Sequence, residues 1–231
     1  MSDQKPASVL VFDVNETLLD ITTLTPLFGR VFGDEAVLRE WFAQLVLYSQ
    51  ALTLSQRYLP FGELGIGTLK MLADIHQVTL DESDIDELKS RMANMPAHPD
   101  VAPALERLTQ AGFRLVTLTN SPAGASPTPL EKAGISDSFE QHFSVDTVKQ
   151  FKPAPDTYRY VADQLGIELE DICMVACHVW DTIGAQAAGC KGALVTRPHN
   201  AVLPASNVPV PDYVADELMA LAEQIIAANA A

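Results

Sequence analysis

The sequence is short of basic residues and contains no long apolar run. Its 231 residues include 15 lysines and arginines against 30 aspartates and glutamates, which gives a formal net charge of −15. Such a charge repels phosphate backbones and anionic lipids, so we expect neither nucleic acid nor a membrane as partner. No apolar run approaches the roughly 20 residues that a membrane helix requires. The polar start, Met1 to Ser8, differs from a secretory signal, and we expect a cytoplasmic protein.

Cysteine is also scarce. Cys173, Cys177 and Cys190 form no CxxC pair and have no zinc-like spacing, so we expect reduced thiols packed as small hydrophobic side chains. Hydrophobic residues make up 48% of the chain and charged residues 19%, a balance typical of globular proteins. A chain of this length fits one large domain, or a core with a modest insert.

Short apolar runs alternate with helical stretches over most of the chain. The runs predicted as strands are Val9–Phe12, 115–118, Ile172–Ala176 and 193–195. The predicted helices cover residues 100–111 with Asp100 as N-cap, then 127–133, 155–165, 181–188 and 216–230. This alternation indicates right-handed βαβ crossovers. We therefore predict an α/β fold, a Rossmann-like parallel sheet flanked by helices.

One segment breaks the alternation. Residues 21–95 show only helical periodicity, with apolar positions such as Trp41 and Leu45 recurring at helical spacing. We interpret this segment as an all-helical cap domain inserted after the first strand. The core domain would then comprise residues 1–20 and 96–231.

Polar side chains cluster where the predicted strands end. Ligands of an open parallel sheet bind beyond the carboxyl ends of its strands. The polar residues at or near these ends are Asp13, Thr17, Thr119, Asn120, Lys152, His178 and Asp181. Each alone has an ordinary explanation as a turn former or a solvated group, but their joint occurrence predicts an active site. Arg197, just past the last strand, is interpreted as a surface cation.

Four short motifs resemble those of the haloacid dehalogenase superfamily. Residues 12–20, FDVNETLLD, resemble the first motif, and Leu118-Thr119-Asn120 the second. Lys152-Pro153 is similar to the third, and residues 175–181, VACHVWD, to the fourth. The motifs occur in the order of the superfamily and span nearly the whole chain. The helical insert also lies where that superfamily has its cap domain.

Two positions depart from the metal-dependent phosphatases of this superfamily. Those enzymes carry an acid two residues after the nucleophile, where this chain has Asn15, and Cys177 replaces the first of their two metal-binding acids. Magnesium prefers oxygen ligands, and asparagine cannot act as an acid. Loss of a carbon–halogen bond needs neither group, because halide is a good leaving group. We therefore expect no metal and no cofactor.

Further details resemble the type II L-2-haloacid dehalogenases. Tyr158 follows Lys152 by six residues, Trp180-Asp181 closes the fourth motif, and the predicted cap carries Tyr48, Arg57-Tyr58 and Phe61. Three positions differ from that group: Phe42 replaces an arginine that helps position the halogen, Asn15 replaces an aromatic residue, and His178 replaces an asparagine.

This resemblance implies a two-step reaction on a small anionic 2-haloacid. Asp13 attacks C2 and expels halide, and water then hydrolyses the ester. Lys152, within ~4 Å of Asp13, would keep the carboxylate ionised. Asp181 is the expected base or orienter of the water, with His178 as an alternative base. Thr17, Thr119 and Asn120 are expected to bind the substrate carboxylate or the halide, and Asn15 and Tyr158 are further expected substrate-binding residues. Trp180, Phe42 and Phe61 would surround the C–X bond, or simply belong to the core.

Two other functions remain open at this point. A magnesium-dependent small-molecule phosphatase of the same superfamily is one, and a binding protein with altered catalysis is the other. The resemblance also implies a possible homodimer formed through the cap.

Overall fold

A computed structural model describes residues 7–124 and 126–230, so most of the polar start of the chain lies outside the described residues. The described chain contains six strands: Val9–Phe12 (β1), Arg114–Thr119 (β2), Gln141–Ser144 (β3), Ile172–Ala176 (β4), Lys191–Val195 (β5) and Tyr213–Ala215 (β6). They form one all-parallel sheet with the order β3-β2-β1-β4-β5-β6. This arrangement confirms the predicted α/β fold with a parallel sheet.

The central strands were predictable from the sequence because they are buried on both faces of the sheet. Every residue of β1 and β4 is buried, as expected for strands covered on both faces, and their sequences are accordingly continuous apolar runs. Phe12 pairs with Thr117 of β2 and Val175 of β4. The residues that follow these three strands therefore emerge side by side at one edge of the sheet.

The sequence interpretation missed two strands, β3 and β6. β3 is the four-residue segment QHFS, with two exposed residues, and β6 has only three residues, none of them fully buried. Both lie at the edges of the sheet, where a strand needs no continuous apolar run. Their weak hydrophobic signal follows from that position.

Helices flank the sheet as predicted. They are Val101–Gln110 (α5), Pro129–Lys132 (α6), Pro155–Leu165 (α7), Val179–Ala188 (α8) and Leu218–Asn229 (α9). Asp100 occupies the N-cap position of α5, but its side chain makes no capping hydrogen bond. Its carboxylate instead accepts from Arg197 and from the Leu218 amide. Arg197 is therefore a buried structural cation, and its interpretation as a surface group is wrong.

Four helices separate β1 from α5. They are Thr25–Phe32 (α1), Val37–Leu54 (α2), Phe61–His76 (α3) and Glu82–Met92 (α4), preceded by a 3₁₀ turn at Ile21–Leu24. Trp41 of α2 packs against Phe28 of α1 and donates its indole N–H to the Gly65 carbonyl of α3 at 2.9 Å. A β-bridge between Leu19 and Ala97 brings the two ends of this segment together.

Hydrogen bonds tie the four-helix segment to the rest of the chain. Tyr58 donates its hydroxyl hydrogen to Asp146 at 2.8 Å, and the Phe151 amide donates to Thr53 at 3.0 Å.

The cysteines Cys173, Cys177 and Cys190 are free and buried. Among the described residues, no helix combines the length and apolarity needed to cross a bilayer.

Candidate active site

Three central strands deliver polar side chains to one edge of the sheet. Asp13 follows β1, Asn120 follows β2, and His178 follows β4. All three are buried, with 5–7% of each residue exposed. Because neighbouring parallel strands end at the same edge of the sheet, residues far apart in sequence lie close together there, as we expected for the residues at the strand ends.

Lys152 is the cation at the centre of this cluster. Its ammonium lies 2.9 Å from Asp13 Oδ1, 2.6 Å from Asp181 Oδ2 and 2.9 Å from the Leu118 carbonyl oxygen. The side chain is completely buried. Burial by itself favours the neutral amine, but the two carboxylates outweigh it and raise the pKa of Lys152. Lys152 is therefore a buried, protonated lysine.

The loop that carries Lys152 is held in position from two sides. The Lys152 amide donates to Asn120 Oδ1 at 3.0 Å. Gly184 of α8 lies against Pro153 so closely that a Cβ at this glycine would sit 2.7 Å from the Pro153 carbonyl oxygen. Only a residue without a side chain allows this approach. Asn120, expected to bind substrate, thus also positions the backbone of Lys152.

Asp13 is held as an anion. Its Oδ2 accepts from the Thr17 hydroxyl at 2.7 Å and faces His178 Nδ1 at 3.1 Å, while Oδ1 accepts from Lys152. Burial opposes ionisation, but Lys152 and His178 hold the pKa of Asp13 well below its usual range. The Thr17 hydroxyl in turn accepts from the Cys177 amide at 2.9 Å. Thr17 therefore orients the Asp13 carboxylate. It is not among the residues that line the cavity beside that carboxylate.

Asp181 lies behind Lys152. Its Oδ2 accepts from Lys152 and its Oδ1 from the Tyr158 hydroxyl, both at 2.6 Å, and none of its side chain is exposed. Burial and the nearby Asp13 charge raise the pKa of Asp181, against the pull of Lys152. Tyr158 is buried, supports Asp181 through its hydroxyl and is not among the residues that line the cavity beside Asp13.

His178 bridges two buried carboxylates. Its Nδ1 lies 3.1 Å from Asp13 Oδ2 and its Nε2 lies 2.9 Å from Glu16 Oε2. The ring is stacked between Phe42 and Trp180, with centroid distances of 5.3 and 5.0 Å. Burial would lower the pKa of His178, but the neighbouring Cys177 and the hydrogen bonds to Asp13 and Glu16 raise it well above its usual value. The position of the ring between two buried carboxylates favours its protonated form.

Sequence reasoning did not select Glu16. This residue is 3% exposed, has a φ of 66°, and accepts hydrogen bonds from His178, from Arg39 of α2 and from Asn200. His178 and Arg39 keep the pKa of Glu16 low against the effect of burial. Left-handed backbone is uncommon for a glutamate, so the contacts offset a conformational cost. The sequence did offer one signal for Glu16, because it is an acidic residue inside the first motif, three residues after Asp13.

A small cavity opens beside Asp13. Its volume is about 10 Å³. Its walls are formed by Asp13, Asn15, Phe42, Val46, Phe61, Thr119, Asn120, His178 and Trp180. Eight of these nine residues were selected from the sequence, and Val46 of α2 was not. The cavity therefore brings together the strand-end polar residues and aromatic groups of the helical segment.

The donor set at this site does not fit magnesium. Asp13, Cys177 and His178 each offer one ligand atom, and these atoms lie within 4.8 Å of one another. Only one of the three is an oxygen, whereas magnesium requires mainly oxygen ligands. Burial also raises the pKa of Cys177, which keeps its thiol protonated. The two other acids nearby are also engaged, Asp181 by Lys152 and Tyr158, and Glu16 by His178, Arg39 and Asn200.

The fold and this cluster together define an α/β protein that carries a buried carboxylate–lysine pair at the carboxyl ends of its central strands. A model of the haloacid dehalogenase-like hydrolases matches residues 7–189, and the chain belongs to this family.

Curated relatives resemble the chain over most of its length. It is 28% identical over 195 residues to (S)-2-haloacid dehalogenase 1 of Pseudomonas sp. (strain CBS-3), covering 83% of this chain and 86% of the relative. It is 31% identical over 152 residues to a phosphoglycolate phosphatase of Aliivibrio fischeri, covering 61% of this chain and 66% of the relative. Both reactions considered from the sequence are thus represented among the relatives.

Solved structures share the fold. An L-2-haloacid dehalogenase from Xanthobacter autotrophicus with chloropropionic acid covalently bound has a TM-score of 0.84 and 24% identity, covering 95% of this chain and 98% of that one. At this identity the likeness establishes the fold alone.

Proposed function

We propose that this protein is a hydrolytic dehalogenase of 2-haloalkanoic acids that works through an ester on Asp13. The observation that carries the proposal is the buried pairing of Asp13 with Lys152 at 2.9 Å, at a site whose donor atoms do not suit magnesium. A buried carboxylate held ionised by a neighbouring lysine is a nucleophile, and displacement of halide needs no acid at the leaving group. The (S)-2-haloacid dehalogenases among the relatives support this reaction and favour (S) substrates.

The first step forms the ester. An Asp13 oxygen attacks C2 of the acid, the C–X bond breaks, and halide leaves with the bonding electrons. Thr119, Asn120 and Asn15 line the cavity and are proposed to bind the substrate carboxylate, while Trp180, Phe42 and Phe61 surround the C–X bond. Three cations, Lys152, His178 and Arg39, face the three acids Asp13, Glu16 and Asp181, which offsets locally the strongly negative charge of the chain.

The second step hydrolyses the ester, and we propose His178 as its base. Ester formation removes the Asp13 charge, so the pKa of His178 falls and the ring releases a proton to solvent. Neutral His178 then takes a proton from the water that attacks Asp13 Cγ. The tetrahedral intermediate collapses, its proton returns from His178 to the departing 2-hydroxy acid, and the Asp13 carboxyl gives its proton back to His178. One hydrogen halide is released per turnover.

Asp181 receives a different role in this proposal. Because both its oxygens are engaged by Lys152 and Tyr158, it orients the ammonium rather than the water. Glu16 holds the His178 ring through Nε2, which leaves Nδ1 on the side of Asp13. The arrangement of nucleophile, base and orienting carboxylate follows the general logic of a catalytic triad.

We propose that residues 21–95 form a cap domain on a core of residues 1–20 and 96–231, because α2 and α3 supply Phe42, Val46 and Phe61 to the cavity.

A cytoplasmic homodimer is also proposed. Leu47, Ala51 and Leu54 form an exposed apolar stripe on α2, which suits contact with a second copy. Light scattering of Leu54→Glu against the unsubstituted protein tests the dimer.

Halide release tests the function. We expect (S)-2-chloropropionate to yield chloride and lactate, the (R) acid to react far more slowly, and EDTA to leave the rate unchanged. Asp13→Asn should abolish release. Phosphate release from phosphoglycolate that requires magnesium, with no halide from any 2-haloacid, would instead establish the phosphatase alternative.

A further inference from the structure

Two adjoining cavities of very different size meet at the candidate active site. The cavity beside Asp13 has a volume of about 10 Å³ and its neighbour about 550 Å³. Asn15, Phe61 and Thr119 line both cavities, so the two adjoin at these three residues. A volume of 10 Å³ is the space of about one water molecule, whereas 550 Å³ is typical of a small-molecule site.

The larger cavity is mainly apolar. It lies between α2, α3 and α4 on one side and the sheet edge with its following loops on the other, and its apolar walls include Trp41, Leu45, Ile66, Leu88, Met92 and Leu130. The indole N–H of Trp41 is already bonded to the Gly65 carbonyl, so this ring offers the cavity only an apolar surface. Lys89, Lys132 and His142 also line this cavity, but most of its surface is apolar, which favours a flexible hydrocarbon chain over a polar or charged group.

Asn15 stands at the junction of the two cavities. Its amide donates to Ser121 Oγ at 3.3 Å, and Ser121 lines only the larger cavity. A substrate whose C2 lies at Asp13 would therefore pass its remaining carbon atoms alongside Asn15 and Thr119 into the apolar space. A two-carbon or three-carbon acid would leave most of that space unfilled.

We propose that the larger cavity binds the alkyl chain of the substrate, and that the preferred substrates are 2-haloacids of about six to ten carbons rather than haloacetates. This inference rests on the proposed function. Each methylene moved from water into the cavity is expected to raise kcat/KM about fourfold until the cavity is filled.

The chain offers a matched pair of glycines for the test. Gly62 lines the larger cavity and Gly67 does not, and both lie on α3 where an added Cβ meets no atom within 4 Å. Gly62→Leu places a side chain in the cavity, while Gly67→Leu makes the same change on the same helix outside it. Ala93→Leu fills the cavity from the end of α4 and serves as a second variant if Gly62→Leu fails to fold.

The experiment compares kcat/KM for 2-bromooctanoate with that for 2-bromopropionate. We expect the ratio to exceed 100 in the unsubstituted protein, to fall at least tenfold in Gly62→Leu and Ala93→Leu, and to be unchanged in Gly67→Leu. Turnover of 2-bromopropionate with a ratio near or below one would overturn the inference and leave the proposed function intact.

Calorimetry with octanoate and propionate separates binding from chemistry. We expect octanoate to bind at least tenfold more tightly, and Gly62→Leu to remove that difference. If octanoate binds no better than propionate, the cavity does not hold the chain. If octanoate binds preferentially but no 2-haloacid releases halide, the proposed reaction fails and the chain-binding inference is supported.

Discussion

The imidazole of His178 is held between Glu16 and Asp13, with Nε2 2.9 Å from Glu16 Oε2 and Nδ1 3.1 Å from Asp13 Oδ2. The candidate base His178 therefore contacts both the nucleophile Asp13 and Glu16, a second buried carboxylate from the same short motif. Arg39 of α2 and Asn200 complete the contacts of Glu16. The charge state of His178 is thus coupled both to the nucleophile and to the helical segment above it.

Glu16→Gln should weaken this coupling and change the pH dependence of stability. The pKa of His178 in the folded protein is well above its unfolded value, so its stabilisation is fully present below pH ~6.5 and is lost as pH rises through the folded pKa. The variant should lose roughly 1.5–3 kcal/mol at pH 6 and less at high pH. Urea unfolding between pH 6 and 10 measures the difference.

The surface provides a control for that experiment. Glu40 and His76 form a similar contact at 2.9 Å, but their side chains are 40% and 33% exposed. Glu40→Gln should cost under about 0.5 kcal/mol at every pH. An equal effect of the two substitutions would mean that burial does not strengthen the Glu16 contact.

His178→Ala should separate the two steps of the reaction. Ester formation needs Asp13 and Lys152, which remain, whereas hydrolysis loses its base and should slow by roughly 10²–10⁴-fold. We expect a burst of halide close to one equivalent, followed by slow turnover, and a protein mass increased by the bound acid. A variant that turns over steadily without accumulating ester would assign the base to another residue.

Lys152→Met should destabilise the fold as well as abolish activity. It leaves the buried Asp13 and Asp181 carboxylates without their shared cation, at a cost of roughly 3–5 kcal/mol in unfolding free energy. Adding Asp181→Asn should recover part of that loss without restoring activity. Lys149→Met removes an exposed lysine three residues away and should cost under about 1 kcal/mol.

Gly184→Ala tests how α8 positions the Lys152 loop. The new methyl would meet Pro153, so we expect a loss of roughly 1–3 kcal/mol and slower halide release as the loop shifts. Gly67→Ala, made in open space on α3, should instead raise stability by about 1 kcal/mol. Opposite signs for the two substitutions in thermal unfolding would verify the close approach, and equal signs would contradict it.

The sequence predicted the central strands and most cavity residues because buried parallel strands are apolar and their ends share an edge. It missed β3 and β6, since edge strands carry little hydrophobic signal. The sequence also left open which groups face the cavity. Tyr158 and Asp181 proved to lie behind Lys152, and Glu16 beside His178, because these positions depend on contacts between segments far apart in the chain. Arg197 was misread for the same reason, since its partner Asp100 is 97 residues away.

The most direct test of the account is a single turnover in H₂¹⁸O with enzyme in excess over an (S)-2-haloacid. If water attacks the ester carbonyl, one ¹⁸O enters the Asp13 carboxylate and the 2-hydroxy acid stays unlabelled in the first turnover. Peptide mass analysis of residues around Asp13 then shows a shift of two mass units. Label found in the hydroxy acid, with Asp13 unlabelled, would mean that water attacks C2 directly and that no aspartyl ester forms.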